Sequence, residues 1–195
     1  MSSNTKLFNN ISPIYGRFFN FQVGYYSIII DRISGEFDIS KYESALDVGC
    51  GTGALSNVLS QVGLRVTGLD PSSGMLKQAI KRVDNKNIEF LHIIPGEKLP
   101  FPDKSFDIVI SSYVAHGLKP EDRINLYKEM QRVSKEYVIL HDYNGNRGLV
   151  TTIIEWLEGG DYFNFIKVAR DELGDIFEEV RVIDVDTRAA WYICK

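Results

Sequence analysis

The residues best able to do chemistry begin at Asp47-Val48-Gly49-Cys50-Gly51-Thr52-Gly53, where an acid precedes three glycines at alternate positions. Glycine permits positive φ and lets a ligand approach the main chain closely. A helix starting just beyond would offer unpaired N–H groups and a positive dipole end, which favour a carboxylate or phosphate. Asp70 follows Gly49 by 21 positions, where an acid can receive both hydroxyls of an adenosine ribose. Acid–base candidates are Tyr113 and His116 in Ser111-Ser112-Tyr113-Val114-Ala115-His116, and His141 in His141-Asp142-Tyr143. Histidine titrates near neutrality, and a carboxylate can orient it as a base. Adjacent strand residues point to opposite faces, so His141 and Asp142 do not easily share one pocket. The ordinary alternative for His116 is a capping or packing role, and for Tyr113 a wall or backbone contact. His92 is read as structural, on a buried strand.

These residues need elements to hold them. Ser44–Val48 is a short apolar run that stops at glycines, as expected of a buried parallel strand. Leu55, Val58, Leu59 and Val62 fit a helix over 54–62. A second strand runs over Leu64–Leu69 to Asp70, and Ser72 can cap a helix reaching about Val83. Asn87–Ile93 and the β-branched Phe106–Ile110 are further strands, separated by a turn with Pro95, Gly96, Pro100 and Pro102. A helix with Ile124, Tyr127, Met130 and Val133 on one face precedes a fifth strand at Tyr137–Leu140. Such alternation predicts a doubly wound α/β sheet, with right-handed crossovers and a ligand site beyond the carboxyl ends of its strands. Helical segments at 148–157 and 162–173 lead to Val180–Val185 and Ala189–Cys194, whose short connection implies an antiparallel hairpin. Before residue 40, Phe8, Tyr15, Phe18, Phe19, Phe21, Tyr25 and Tyr26 are spaced for amphipathic helices, a helical arm ahead of the sheet.

Two ligands suit a glycine turn followed by such an acid: a nicotinamide dinucleotide and S-adenosyl-L-methionine. The dinucleotide fingerprint is G-x-G-x-x-G, whereas this chain reads G-x-G-x-G, which disfavours a dinucleotide-dependent oxidoreductase. Leu46–Gly53 resembles the first motif of the class I S-adenosylmethionine-dependent methyltransferases. The similarity is strongest to the type 11 branch that includes ubiquinone and menaquinone biosynthesis enzymes. It continues through Val66–Met75, Leu99-Pro-Phe-Pro-Asp103 and Ser105–Tyr113, covering about residues 42–142.

The resemblance implies a Rossmann-like, mostly parallel seven-stranded sheet with an antiparallel C-terminal hairpin and an N-terminal helical arm. It implies a single methyltransferase domain over 1–195, with an arm or lid at 1–40, a cofactor-binding core at 41–145, and C-terminal helices and hairpin at 146–195. Gly49, Gly51 and Gly53 would line the methionine part of the cofactor, and Asp47 would help hold its amino group. Asp70 would take the ribose hydroxyls, with Pro71 and Met75 near the adenine. Many relatives carry an acid after the third strand for the adenine amino group. Pro95 stands there in this chain, and Gly96 N–H or the Glu97 carboxylate would substitute. Ser112 would face the methionine tail, and Tyr15, in Ile14-Tyr-Gly-Arg, would close over it. Methyl transfer asks for in-line alignment in a site shielded from water, and for a general base only when the acceptor must lose a proton.

Composition narrows the partners. The formal charge of −4 comes from acids and bases that are interspersed along the chain, so no nucleic-acid partner is expected. Cys50 and Cys194 match no ligand or disulfide spacing, which suggests a reducing, cytoplasmic setting and no metal. The apolar run Tyr25–Ile30 is too short for a membrane span, and no secretory signal is recognisable. Glu155–Phe165, with its aromatics and Gly159-Gly160, would cap an acceptor pocket or make a homodimer contact, or simply cover the sheet. The expected activity is methyl transfer to a small, aromatic or lipophilic molecule. The alternative is a non-catalytic S-adenosylmethionine-binding regulator or partner subunit.

Overall fold

A computed structural model describes residues 3–146 and 161–195, which fall into two compact units, Met1–Leu99 and Pro100–Lys195. The predicted helix at 148–157 and most of the Glu155–Phe165 patch lie outside the described residues.

In the first unit, helices α1 (Ser3–Arg17) and α2 (Phe19–Ile33) precede β1 (Ser44–Val48), α3 (Ala54–Gln61), β2 (Arg65–Asp70), α4 (Ser73–Arg82) and β3 (Ile88–His92). The strands are parallel in the order β3-β2-β1, with Val48 paired to Leu69 and Asp70 to His92. Each crossover is a helix whose apolar face is buried on the strands, through Leu55, Val58 and Leu59 in α3 and Met75, Leu76 and Ala79 in α4. The caps follow from local chemistry: the Ser72 hydroxyl accepts a bond from Met75 N–H at 3.1 Å, and α4 ends with Lys81 and Arg82 against its negative dipole end. Helix α2 packs on α3, and α1 on α4. Asn9 fixes the second contact, its Oδ1 accepting from Ser72 Oγ at 2.8 Å and Gly74 N–H at 2.9 Å.

The second unit carries β4 (Phe106–Ser112), a single 3-10 turn at Ala115–Gly117, α5 (Pro120–Val133), β5 (Ser134–Tyr143), α6 (Tyr162–Gly174), β6 (Val180–Asp186) and β7 (Ala189–Cys194). Its strand order is β4-β5-β7-β6, parallel between β4 and β5 and antiparallel thereafter. The seven strands make up the expected mostly parallel sheet with a C-terminal hairpin. Helix α5 starts with Pro120, Glu121 and Asp122, whose fixed φ and negative charges suit a helix N-terminus. The fifth strand is longer than its apolar centre predicts, because Ser134–Glu136 and His141–Tyr143 continue the ladder beyond it.

One expectation is corrected. His92 does not lie on a buried strand: β3 is an edge strand with no fully buried residue, and the exposed His92 ring bonds Pro71 O through Nε2 at 3.0 Å.

Gly53 meets two constraints at once. Its φ is +78°, and a Cβ there would lie 2.7 Å from Phe90 Cζ and 3.1 Å from Ala79 Cβ. A Cβ at Gly68 would likewise lie 2.7 Å from Phe90 Cδ1 and 3.0 Å from Cys50 Sγ. At Gly51, with φ +55°, a Cβ would meet nothing within 4 Å. Gly53→Ala should therefore cost about 3 kcal/mol, strain plus overpacking, against about 1 kcal/mol for Gly51→Ala. Urea unfolding of both variants checks the difference; equal losses would show that the ring yields.

Candidate cofactor site and a histidine–aspartate pair

The first unit builds a turn where β1 breaks. Gly49, Gly51 and Gly53 all have positive φ, at +81°, +55° and +78°. Gly49 and Cys50 N–H both donate to Leu69 O, at 2.7 and 2.9 Å, which ties the turn to the end of β2. Asp70 completes it: Oδ2 accepts from Gly51 N–H at 2.8 Å and Oδ1 from Ser72 N–H at 2.7 Å. A carboxylate offers about four acceptor sites, so each Asp70 oxygen keeps capacity for a ligand hydroxyl.

Asp47, at the end of β1, is 1% exposed. Its Oδ2 accepts from Ser56 Oγ at 2.6 Å, while Oδ1 has no hydrogen-bond partner among the described residues. Burial pushes the Asp47 carboxyl up to about 7, the Ser56 bond pulls it down, and the nearby Asp70 charge pushes it up again. Burial also raises the Asp70 carboxyl, against the N–H bonds of Ser72 and Gly51. Two buried acids within each other's field favour a cationic group and repel a pyrophosphate, while the first N–H groups of α3 suit a ligand carboxylate. An amino acid with a cationic centre and an attached ribose matches all three features. A dinucleotide would bring its phosphates against the acids.

The remaining cofactor candidates of this unit are spread around the turn. Met75 is buried on α4 and Pro71 is half-buried after Asp70. Gly96, with φ +81°, and Glu97 stand in an exposed turn after β3, where Glu97 N–H donates to Ile94 O at 3.3 Å. Tyr15 lies on α1 and is 36% exposed. Among the described residues no cluster of three or more potential ligand side chains could hold a metal, and no helix is long and apolar enough to cross a membrane.

The second unit separates the histidine candidates. His141 is fully buried, its Nδ1 lies 3.2 Å from Ser112 Oγ, and burial lowers it to about 4, so it stays neutral. Asp142, on the opposite face of β5, turns to His116. Its Oδ1 meets His116 Nδ1 at 2.7 Å and accepts from Tyr143 N–H at 2.8 Å, while Oδ2 accepts from Ala115 and His116 N–H at 3.1 and 3.3 Å. Four donors converge on one carboxylate, which assigns the hydrogen of His116 to Nδ1. Tyr113, held at φ +53°, packs its ring 4.8 Å from that of His141 and 6.3 Å from that of His116. Tyr143 and Phe165 add rings at 4.8 and 6.4 Å from His116.

Sequence reasoning did not pair His116 with Asp142, 26 positions apart. The signal was the parallel register: β4 and β5 pair Ser112 with His141, so the residues just beyond share one end of the ladder. Arg123 was also missed. It is 0% exposed, bonds Glu172 through Nε and Nη2 at 2.6 Å and Asp161 through Nη1 at 3.0 Å, and lies over the Phe165 ring at 5.6 Å. A surface depression of about 510 Å³ near Arg170, Asp171, Asp175 and Phe177 holds none of the candidate residues.

An open α/β sheet with a glycine turn after β1, an acid ending β2 and an antiparallel last hairpin defines the architecture of S-adenosylmethionine-dependent methyltransferases. Comparison with known proteins agrees. Residues 46–140 match the methyltransferase domain family model. Demethylmenaquinone methyltransferase of Geobacillus stearothermophilus is 34% identical over 139 residues, covering 67% of this chain and 57% of the relative. An uncharacterized methyltransferase of Schizosaccharomyces pombe is 36% identical over 111 residues, covering 54% of this chain and 39% of the relative. The chain thus spans about two fifths to three fifths of the length of these curated relatives. A crystal structure of a Methanococcus maripaludis protein, described as an S-adenosyl-L-methionine-dependent methyltransferase, superposes with a TM-score of 0.76 at 19% identity, covering 100% of this chain and 96% of the other. Through residues 46–140 the chain belongs to the class I S-adenosylmethionine-dependent methyltransferase family, whose cofactor is S-adenosyl-L-methionine.

Proposed function

We propose that the chain transfers the methyl group of S-adenosyl-L-methionine to a small, aromatic or lipophilic acceptor by in-line displacement. The observation that carries this reading is Asp47 Oδ1, buried and unpartnered among the described residues beside a second buried acid. A buried acceptor of that kind is costly until a donor reaches it, and the ammonium of the methionine moiety supplies one. Gly49, Gly51 and Gly53 line that moiety with Tyr15, Asp70 takes the ribose hydroxyls, Pro71 and Met75 pack near the adenine, and Gly96 N–H or Glu97 meets its edge. Toward the acceptor, His116 is the proton acceptor, Tyr113 a wall, and His141 the neutral support on which Tyr113 rests. Residues 1–195 act as one cytoplasmic methyltransferase domain, with no nucleic-acid partner.

Calorimetric titration with S-adenosylhomocysteine tests the reading. Saturable micromolar binding is expected, with NADH silent. Asp70→Ala should abolish it, since the change removes the ribose acceptor and also frees Gly51 N–H and Ser72 N–H from the carboxylate that orders the turn. Binding of NADH in place of S-adenosylhomocysteine would overturn the assignment. Pro95, standing where relatives carry an adenine-binding acid, favours one second reading, a cofactor-binding regulator. Turnover of any acceptor excludes it.

A further inference from the structure

We infer that the outer face of the two N-terminal helices docks on an anionic lipid surface, an interaction separate from methyl transfer. Helix α2 is apolar on two opposite sides. Phe19, Tyr26, Ile30 and Ile33 form the buried side, and the helix packs on α3. Phe21 and Ile28, seven positions apart, share the other side, at 74% and 58% exposed. The row extends back into α1. Phe18 N–H donates to Tyr15 O at 3.0 Å and Gln22 N–H to Phe18 O at 2.9 Å, which carries the helical path through the joint. Ile14 and Phe18, each 56% exposed, therefore fall in line with Phe21 at helical steps of four and three. A lone exposed apolar residue is ordinary. Beyond the arm, the described residues leave such side chains one to an element: Ile80 on α4, Ile94 after β3 and Val182 on β6. Helix α5 shows the usual arrangement, its open positions after Pro120 being Glu121, Asp122, Asn125 and Lys128. Four large apolar side chains in one row mark a surface that meets a partner.

Charge selects the occupant. All 26 acids of the chain lie beyond residue 30, and the first 30 residues carry only Lys6 and Arg17 as charged side chains. Arg17 is exposed and stands between Ile14 and Phe18 in sequence. The rest of the chain holds more acids than bases, so an anionic plane attracts the arm, repels the body and fixes which side faces it. Phenylalanine and isoleucine with cations and no acid suit a helix lying in a headgroup layer. A second copy seated on this face would instead bring two cationic, acid-free rows together. Length excludes a span: α2 has 15 residues, about 22 Å of helix against about 30 Å of hydrocarbon. Its buried side is in any case committed to α3, which leaves the outer side to rest on a surface.

Vesicle flotation of the full chain tests the surface. Vesicles of phosphatidylcholine with phosphatidylglycerol should carry the protein, and phosphatidylcholine alone should bind it at least about fivefold more weakly. The double variant Phe21→Gln, Ile28→Gln changes two exposed positions and leaves the buried side of α2 intact. It should bind the anionic vesicles at least about tenfold more weakly; if it fails to fold, Phe21→Gln alone decides. Arg17→Gln should weaken the same binding about fivefold and leave binding to phosphatidylcholine unchanged. No flotation with the anionic vesicles, or flotation of the double variant or of Arg17→Gln equal to that of the unmodified chain, overturns the inference. So does a lipid-free dimer that the double variant dissociates, since a second copy would then cover the row. S-Adenosylhomocysteine should bind the double variant as it binds the unmodified chain. Failure at the vesicles thus leaves the methyl-transfer reading standing, and failure to bind S-adenosylhomocysteine leaves this surface standing.

Discussion

S-Adenosylhomocysteine should bind about tenfold more weakly at about pH 6 than at about pH 8, because the ammonium of the ligand needs an ionised Asp47 and that carboxyl titrates at about 7. The sign follows from the direction of the shift. The folded, unliganded protein holds Asp47 at about 7, above its ordinary 3.8, so the fold favours the protonated form. The stability contributed by this group is fully present below about pH 4 and is lost as pH rises through about 7. Ligand binding works in the opposite direction, expelling the proton, so affinity climbs with pH to about 7 and then levels. Asp47→Asn should flatten that dependence and weaken binding about 100-fold, the loss of one charge-assisted bond to a buried group. Unliganded Asp47→Asn should also melt higher than the parent at about pH 8, since it no longer buries a charge. Calorimetry across the pH range checks the first effect and thermal scans check the second. A flat profile in the unmodified chain would place the ligand ammonium away from Asp47.

Arg123→Met should lower stability by about 3 kcal/mol, or about 10 °C in melting temperature for a chain of this size. The guanidinium is wholly buried, whereas its partners Glu172 and Asp161 keep 17% and 27% of their side chains exposed. Removing the cation takes away the ion-pair partner of both Glu172 and Asp161, and it removes the cation over Phe165. The double variant Arg123→Met, Glu172→Leu should recover part of the loss, because replacing a buried pair by apolar groups costs far less than breaking it. Urea midpoints of the three proteins decide. A double variant weaker than the single one would mean that Asp161 carries the interaction.

Most of the framework was readable in the sequence because it is written in local periods. An apolar run that stops at glycine gave β1, one that ends at Asp70 gave β2, the spacing of Leu55, Val58 and Leu59 gave α3, and Ser72 marked the start of α4. The glycine turn and its two acids were legible for the same reason, as they sit within one strand–helix–strand unit. What could not be read depends on where distant segments meet. Asn9 reaches Ser72 and Gly74 across more than 60 positions, and Arg123 gathers Glu172 and Asp161 from α6 and its N-terminal flank. Composition does not announce such pairs. His92 was misjudged because the number of neighbours a strand has belongs to the sheet order and leaves no trace in the strand's own residues.

The Phe90 ring fills the space left by glycines on two other elements, the N-cap of α3 and strand β2. Positions 53, 68 and 90 are therefore bound into one size rule. Across descendants of this chain, a smaller side chain at 90 should appear before or together with alanine at 68, and glycine at 53 should persist in both backgrounds because its φ of +78° leaves it no substitute. A lineage comparison would thus find 68 drifting with 90 and 53 standing still.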